Sequence, residues 1–202
     1  MDINNLDGDD APATGRKDAR ITWLEARVQE LEAALASVRA TPPHTHPSPA
    51  ATNQWSETGY PLLERGQGAG IGYERPIDDF LATGWWPVEG WGVWGRDENH
   101  SLRFHIPNHS HGYVAVHLTL RAFVAPGHER PRIAITANGY FLGHFHLGAK
   151  AQKLTLKLPP SSIDKGDVIL AFEHSAPHSP ASLGVGEDFR PLGVGFIALA
   201  LP

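Results

Sequence analysis

Between Gly84 and Trp94 the chain gathers four tryptophans and a carboxylate, in the run Gly84-Trp85-Trp86-Pro87-Val88-Glu89-Gly90-Trp91-Gly92-Val93-Trp94. Indole rings beside a charged group suit sugar recognition: the C–H faces of a pyranose stack on the rings while charged side chains bond its hydroxyls. A second polar group, Asp188 and Arg190, lies near the C-terminal end. Trp86, Glu89, Trp94, Asp188 and Arg190 are the candidate ligand-binding residues. Trp85 and Trp91 are assigned instead to the core, because an aromatic side chain buries roughly 150–250 Å² and anchors a small fold. For Glu89 and Arg190, an ion pair tying a strand end to the last strand is an equally weighted reading.

Twelve histidines include the pairs His44/His46, His109/His111 and His144/His146. On a strand, residues i and i+2 share a face, so such a pair could hold a metal ion with a third ligand. No neighbouring carboxylate or histidine completes a recognised site. Three His44/His46 pairs around a three-fold axis could supply an octahedral site, but a solvated linker is the expected state of that segment. Polar outer-face or intersubunit histidines are expected elsewhere, and no metal or cofactor. The chain has no G-x-S-x-G, no phosphate loop and no H-E-x-x-H motif, and these absences set the expectation of a non-enzyme. A glycosidase would need two carboxylates at fixed separation, and only Glu89 with Asp97 or Asp188 presents itself.

The net charge is −5 and no basic cluster is present, so no field favours phosphate backbones and nucleic acid is not an expected partner. Without cysteine there is neither a disulfide framework nor a thiolate site. The first residues are polar and acidic, unlike a secretory leader, and no run approaches the ~20 apolar residues of a membrane span. The expectation is a protein made in the cytoplasm, with no membrane association.

These residues must be positioned by the elements around them. From residue 20 to 40 apolar side chains recur in steps of three and four: Ile21, Leu24, Val28, Leu31, Leu35 and Val38. This is a heptad seam, with Arg20 and Arg27 placed to reach Glu25 and Glu32 of a neighbouring helix. RITWLE and RVQELE repeat one Arg-apolar-x-x-apolar-Glu pattern and resemble a short trimerisation motif, so a parallel trimer is predicted. The same stripe would also permit a helix docked on its own globular domain. Residues 1–19 are expected to be a disordered tail, and the proline-rich residues 41–54 a linker. From residue 55 to 202 the period becomes 2, as in Leu102/Phe104/Ile106 and Val114/Val116/Leu118/Leu120. Further strands are expected at Ile133–Thr136, Tyr140–His146, Leu154–Leu158, Val168–His174 and Leu192–Leu201. Asn138-Gly139 reads as a type I′ hairpin turn, and the Gly66–Gly72 stretch as a loop. The fold class is therefore mainly β: an antiparallel sandwich of eight or nine strands with jelly-roll-like connections and no convincing helix, preceded by the coiled coil.

The tryptophan run resembles the G-W-x-x-P-E-x-W-G-x-W signature of a β-sandwich domain appended to bacterial glycosyltransferases and surface-polysaccharide proteins. Ser179-Pro180 and Asp188-Phe189-Arg190-Pro191-Leu192-Gly193-Val194 are similar to that domain's S-P…D-x-R-x-L-G-[IV] ending. The resemblance spans residues 70 to 202 and departs at Gly95-Arg96-Asp97-Glu98-Asn99. It implies a polysaccharide context rather than a chemistry. Coiled coil, linker and terminal β head also resemble a phage-like or gene transfer agent spike or fibre. The expected function is then non-enzymatic binding of capsular or surface polysaccharide by an oligomer, freed by lysis and attached to a particle protein through its N-terminal tail. The alternative is a cytosolic accessory of polysaccharide synthesis; a glycan-degrading enzyme ranks last.

Overall fold

The computed structural model describes Val28, residues 54–109 and residues 112–202. The chain divides into two units, Met1–Ala50 and Ala51–Pro202. In the first, Val28 is helical and exposed; the other heptad positions, the acidic tail, His44 and His46 lie outside the described residues, as does His111.

In the second unit, ten strands run β1 Gly68–Gly70, β2 Leu81–Thr83, β3 Val93–Trp94, β4 Asn99–His105, β5 Val114–Ala122, β6 Arg132–Ala137, β7 Tyr140–His146, β8 Gln152–Leu158, β9 Asp167–His174 and β10 Val194–Ala200. Two antiparallel sheets form, one in the order β1-β10-β5-β8 with β3 also on β10, the other in the order β2-β4-β9-β6-β7. From β4 onward the chain changes sheet at every connection except the β6–β7 hairpin, which is the jelly-roll weave. The long strands follow the alternation in the sequence. Val114, Val116, Leu118, Leu120 and Ala122 are buried while the residues between them are not. With Phe104, Phe172, Phe196 and Phe80 they fill one core between the sheets.

Three strands were not expected. β1, β2 and β3 hold three, three and two residues, too few to show a period. The Gly66–Gly72 stretch is accordingly a strand at its centre rather than a loop, pairing Gly68–Gly70 with Ala200–Ala198. Two single 3-10 turns, Asp78–Phe80 and Pro160–Ser162, are the helical structure of this unit among the described residues. No helix among those residues is long and apolar enough to cross a membrane.

β10 is buried along nearly its whole length. One edge pairs with β5; the other is shared by β3 at Gly195–Phe196 and β1 at Ala198–Ala200, with a bulge between Phe196 and Ala198 at the handover. At one end of the sandwich lie the start of β4, the end of β5, the end of β9 and the start of β10, together with their loops. We call this the tryptophan end. The first and last segments of the domain meet at the opposite end: Leu63 N–H donates to His105 O at 2.8 Å, and Gly66 N–H to Leu201 O at 2.7 Å.

Asn138 and Gly139 have φ of 46° and 79°, the left-handed pair a type I′ turn requires. Asn138 also ties the hairpin to β9: its Nδ2 donates to Asp167 O at 2.8 Å and its Oδ1 accepts from Ile169 N–H at 2.8 Å. Replacing Asn138 by Ala removes these bonds and a third, from Nδ2 to Ser162 O at 3.2 Å, and puts an alanine in a left-handed conformation. A loss of about 2 kcal/mol is expected in urea unfolding; an unchanged midpoint would contradict this role.

Candidate functional site

The site begins with a glycine. Gly195 on β10 pairs with Trp94 on one side and Arg121 on the other. A Cβ there would lie 2.7 Å from Arg121 Cγ and 2.8 Å from a Trp94 ring carbon. The missing side chain is the seat on which the Trp94 ring and the Arg121 stem lie, on the outer face of the first sheet. Trp91 packs edge-on to Trp94 with centroids 4.8 Å apart, and the Arg121 guanidinium carbon stands 3.8 Å from the Trp91 ring centre and 4.7 Å from that of Trp94. Such cation–π contacts stabilise a partly desolvated cation. A tight turn brings Trp91 back over the sheet: Glu89 and Gly92 exchange backbone hydrogen bonds of 2.7 and 3.0 Å. Gly92 has φ 141°, and a Cβ would meet Phe196 O at 2.3 Å.

Two tryptophan placements differ from expectation. Trp94, a candidate sugar platform, is only 6% exposed because Gly195 lets its ring lie flat against β10. Trp91, assigned to the core, is instead half-buried on the outer face, its Nε1 donating to Glu89 Oε2 at 2.7 Å. Trp85 does pack against the core, near Phe172, Phe196 and His100, and donates to Ser101 O.

Glu89, Asp188 and Arg190 form one network. Arg190 NH1 donates to Glu89 Oε1 at 2.9 Å, NH2 to Asp188 Oδ2 at 2.7 Å, and Nε to both Asp188 oxygens at 3.1 Å. Trp86 Nε1 donates to Pro191 O at 2.9 Å, and the guanidinium stands 5.8 Å from the Trp86 ring centre. The loop of residues 84–94 is thus fastened to the loop of residues 175–193 by an ion pair and an indole hydrogen bond. All five candidates lie at the tryptophan end: Trp86, Glu89 and Asp188 surround Arg190, and Trp94 joins them through Trp91. Hydrogen bonds from Arg190 hold the Asp188 carboxyl below the ordinary carboxylate range against the opposing effect of burial. Asp188 is therefore ionised at neutral pH, and each Glu89 oxygen accepts a hydrogen bond, Oε1 from Arg190 and Oε2 from Trp91. Asp97 bonds Arg96 at 3.2 Å on an exposed turn.

Phe189, between Asp188 and Arg190, was not singled out in the sequence. It is 75% exposed, although both neighbours are locked in the network. Val88, next to Glu89, is exposed as well. The available signal was an aromatic residue inside an acid–x–arginine–proline turn. The sequence also missed a histidine group at the same end. His128 stands 5.7 Å from His174 and 4.9 Å from His178 between ring centres. His100 stacks on Phe172 at 5.6 Å. His128, His174 and His100 are buried, and Nε2 of each lacks a hydrogen-bond partner. Among the described residues no group of three or more His, Asp or Glu side chains is arranged to hold a metal ion. His144 and His146 are exposed on β7, beside Arg132 and Arg130 O respectively.

Burial, reinforced by the neighbouring histidines, lowers His174 from 6.5 to about 4 and His100 to about 3, and lowers His128 as well. The unfolded chain therefore takes up protons near pH 6.5 that the fold refuses until those lower values. The stability present above pH 6.5 is lost as pH falls through this window. Unfolding free energies from urea melts at pH 7.5 and 4.5 should differ by roughly 2 kcal/mol for each of His100 and His174, and His100→Phe should shrink the difference; equal acid sensitivity in wild type and variant would contradict this. Independently, Gly195→Ala should cost about 1–3 kcal/mol by overpacking and alter the near-ultraviolet circular dichroism of the Trp91–Trp94 pair. An unchanged spectrum would refute the seat assigned to Gly195.

No protein-family model and no curated protein matches the chain. Solved structures similar to it include an acetyl xylan esterase, Est2A, from Butyrivibrio proteoclasticus, with 12% identity and a TM-score of 0.43, covering 67% of this chain and 32% of the esterase. The chain thus spans about a third of that protein. A carbohydrate-binding module, CBM36, in complex with calcium and xylotriose is similar at 11% identity and a TM-score of 0.36, over 60% of this chain and 92% of the module. CsCBM6-3 from Clostridium stercorarium, in complex with cellobiose, is similar at 10% identity and a TM-score of 0.37, over 69% of this chain and 95% of that one.

Proposed function

We propose that residues 55–202 are a non-catalytic carbohydrate-binding head, and that the tryptophan end is its binding surface. The observation that carries this reading is Phe189: a ring 75% exposed on a turn whose two flanking residues are fixed by the Arg190 network. An exposed aromatic on an anchored backbone loses little conformational freedom when a ligand stacks on it, which is the condition for an aromatic anchor. Around it, Trp86, Glu89, Asp188 and Arg190 combine a second ring with charge-assisted hydrogen-bonding groups.

The wider reading is a spike or fibre that displays several heads on a parallel, trimeric coiled coil over residues 20–40, and binds bacterial capsular or surface polysaccharide. A phage-like particle or gene transfer agent is the proposed carrier, reached after lysis and engaged through residues 1–19. The heptad seam of Ile21, Leu24, Val28, Leu31, Leu35 and Val38, with its Arg–Glu pairs, supports the oligomer. Weak single sites would gain about 10²–10⁴ in apparent affinity through joint engagement.

Two measurements test this. The full chain should have the mass of a trimer and bind encapsulated bacteria in preference to capsule-free ones. Phe189→Ala should lower binding at least tenfold, about 1.4 kcal/mol per site, with the melting temperature unchanged. A monomer would sink the spike. Indifference to capsule would favour the accessory role in polysaccharide synthesis, and full binding by the Phe189 variant would move the surface elsewhere.

A further inference from the structure

Arg190 and Arg121 stand on either side of Glu89 and differ in one respect. Three nitrogens of Arg190 are taken by two carboxylates. The Arg121 side chain makes no hydrogen bond or ion pair with any described residue, and its Nε is buried without a partner. Glu89 acts on it only through charge, its Oε1 bonding Arg190 and its Oε2 Trp91. What surrounds it is aromatic: Trp91 at 3.8 Å and Trp94 at 4.7 Å. Burial lowers its pKa, with Glu89 opposing, as expected of a cation that has shed water without gaining a full partner. A guanidinium in this state is completed best by a planar anion that matches its fork of donors.

We infer that the glycan bound at the tryptophan end is acidic, and that Arg121, half-buried at the edge of the Trp91–Trp94 pair, receives a sugar carboxylate of the uronic acid type. The inference rests on the carbohydrate-binding reading and deepens it. Neutral sugars could use Trp86, Phe189 and the Arg190 network; an acidic one also pairs with the charge of Arg121. A carboxylate there would complete an alternating row in which Glu89 lies between Arg190 and Trp91, with Arg121 beyond.

The test is a panel of immobilised bacterial and plant polysaccharides, neutral and uronate-bearing, probed with the full chain at neutral pH. Each acidic polymer is also presented after chemical reduction of its carboxyl groups to primary alcohols. Binding to uronate-bearing polymers that falls at least tenfold on carboxyl reduction, and that weakens with added salt, is the expected result. Arg121→Gln should reproduce the loss on the unreduced polymer, and Arg121→Lys should restore part of it. Because reduction alters only the ligand, the comparison stands even where a variant fails to fold. Equal binding to native and reduced polymers, or to neutral polymers alone, would overturn the acidic ligand and leave the carbohydrate-binding head intact. Binding to no polymer in the panel would overturn both.

Discussion

β10 is the strand on which the other elements depend, because neither of its edges and neither of its faces is left to water. Its inner face contributes Phe196 and Val194 to the core; its edges are taken by β5 and by the two short strands β1 and β3; its outer face at Gly195 lies under Trp94 and Arg121. A strand enclosed in this way reads as an almost unbroken apolar run, and Val194–Ala200 does so. Its one conspicuous gap, Gly195, is where the surface chemistry attaches. The tryptophan layer is thus in direct contact with the strand that organises the sandwich, and a change of a single methyl group at Gly195 is felt in both.

From that seat the tryptophan end is built outward by fastening loop to loop. Trp94 fixes Trp91, Trp91 fixes one oxygen of Glu89, and the other oxygen fixes Arg190 across 101 residues of sequence. Asp188 closes the far side of the guanidinium. Each link uses a charge-assisted or aromatic contact of modest strength, and side chains about one-third exposed contribute little singly. The chain of links matters for position more than for stability. It leaves Phe189 facing solvent on a backbone that cannot collapse onto the core.

Much of the fold was legible because its long strands are half-buried. Val114–Ala122 and Asn99–His105 alternate in sequence as they do in burial, Asp167–His174 showed as an apolar run, and Asn138-Gly139 announced its turn. β1, β2 and β3 were not legible, since two or three residues carry no period and their pairing is dictated by distant partners. The site was half legible. Composition drew attention to Trp86, Glu89, Asp188 and Arg190, but whether Trp91 or Trp94 faced outward depended on a glycine a hundred residues away. Phe189 and the His128–His174–His178 group were hidden for the same reason: exposure and proximity are products of the weave, not of local spacing.

The domain's first and last segments meet at one end of the sandwich and the loops of the tryptophan end stand at the other. A pull between a captured ligand and whatever precedes residue 54 therefore runs along the strands, not across them. Ladder hydrogen bonds lie perpendicular to the strands, so such a load slides neighbouring strands past one another and engages whole ladders together. Pulling from a sheet edge would peel them one bond at a time. The topology suits the load that the proposed spike would place on its head.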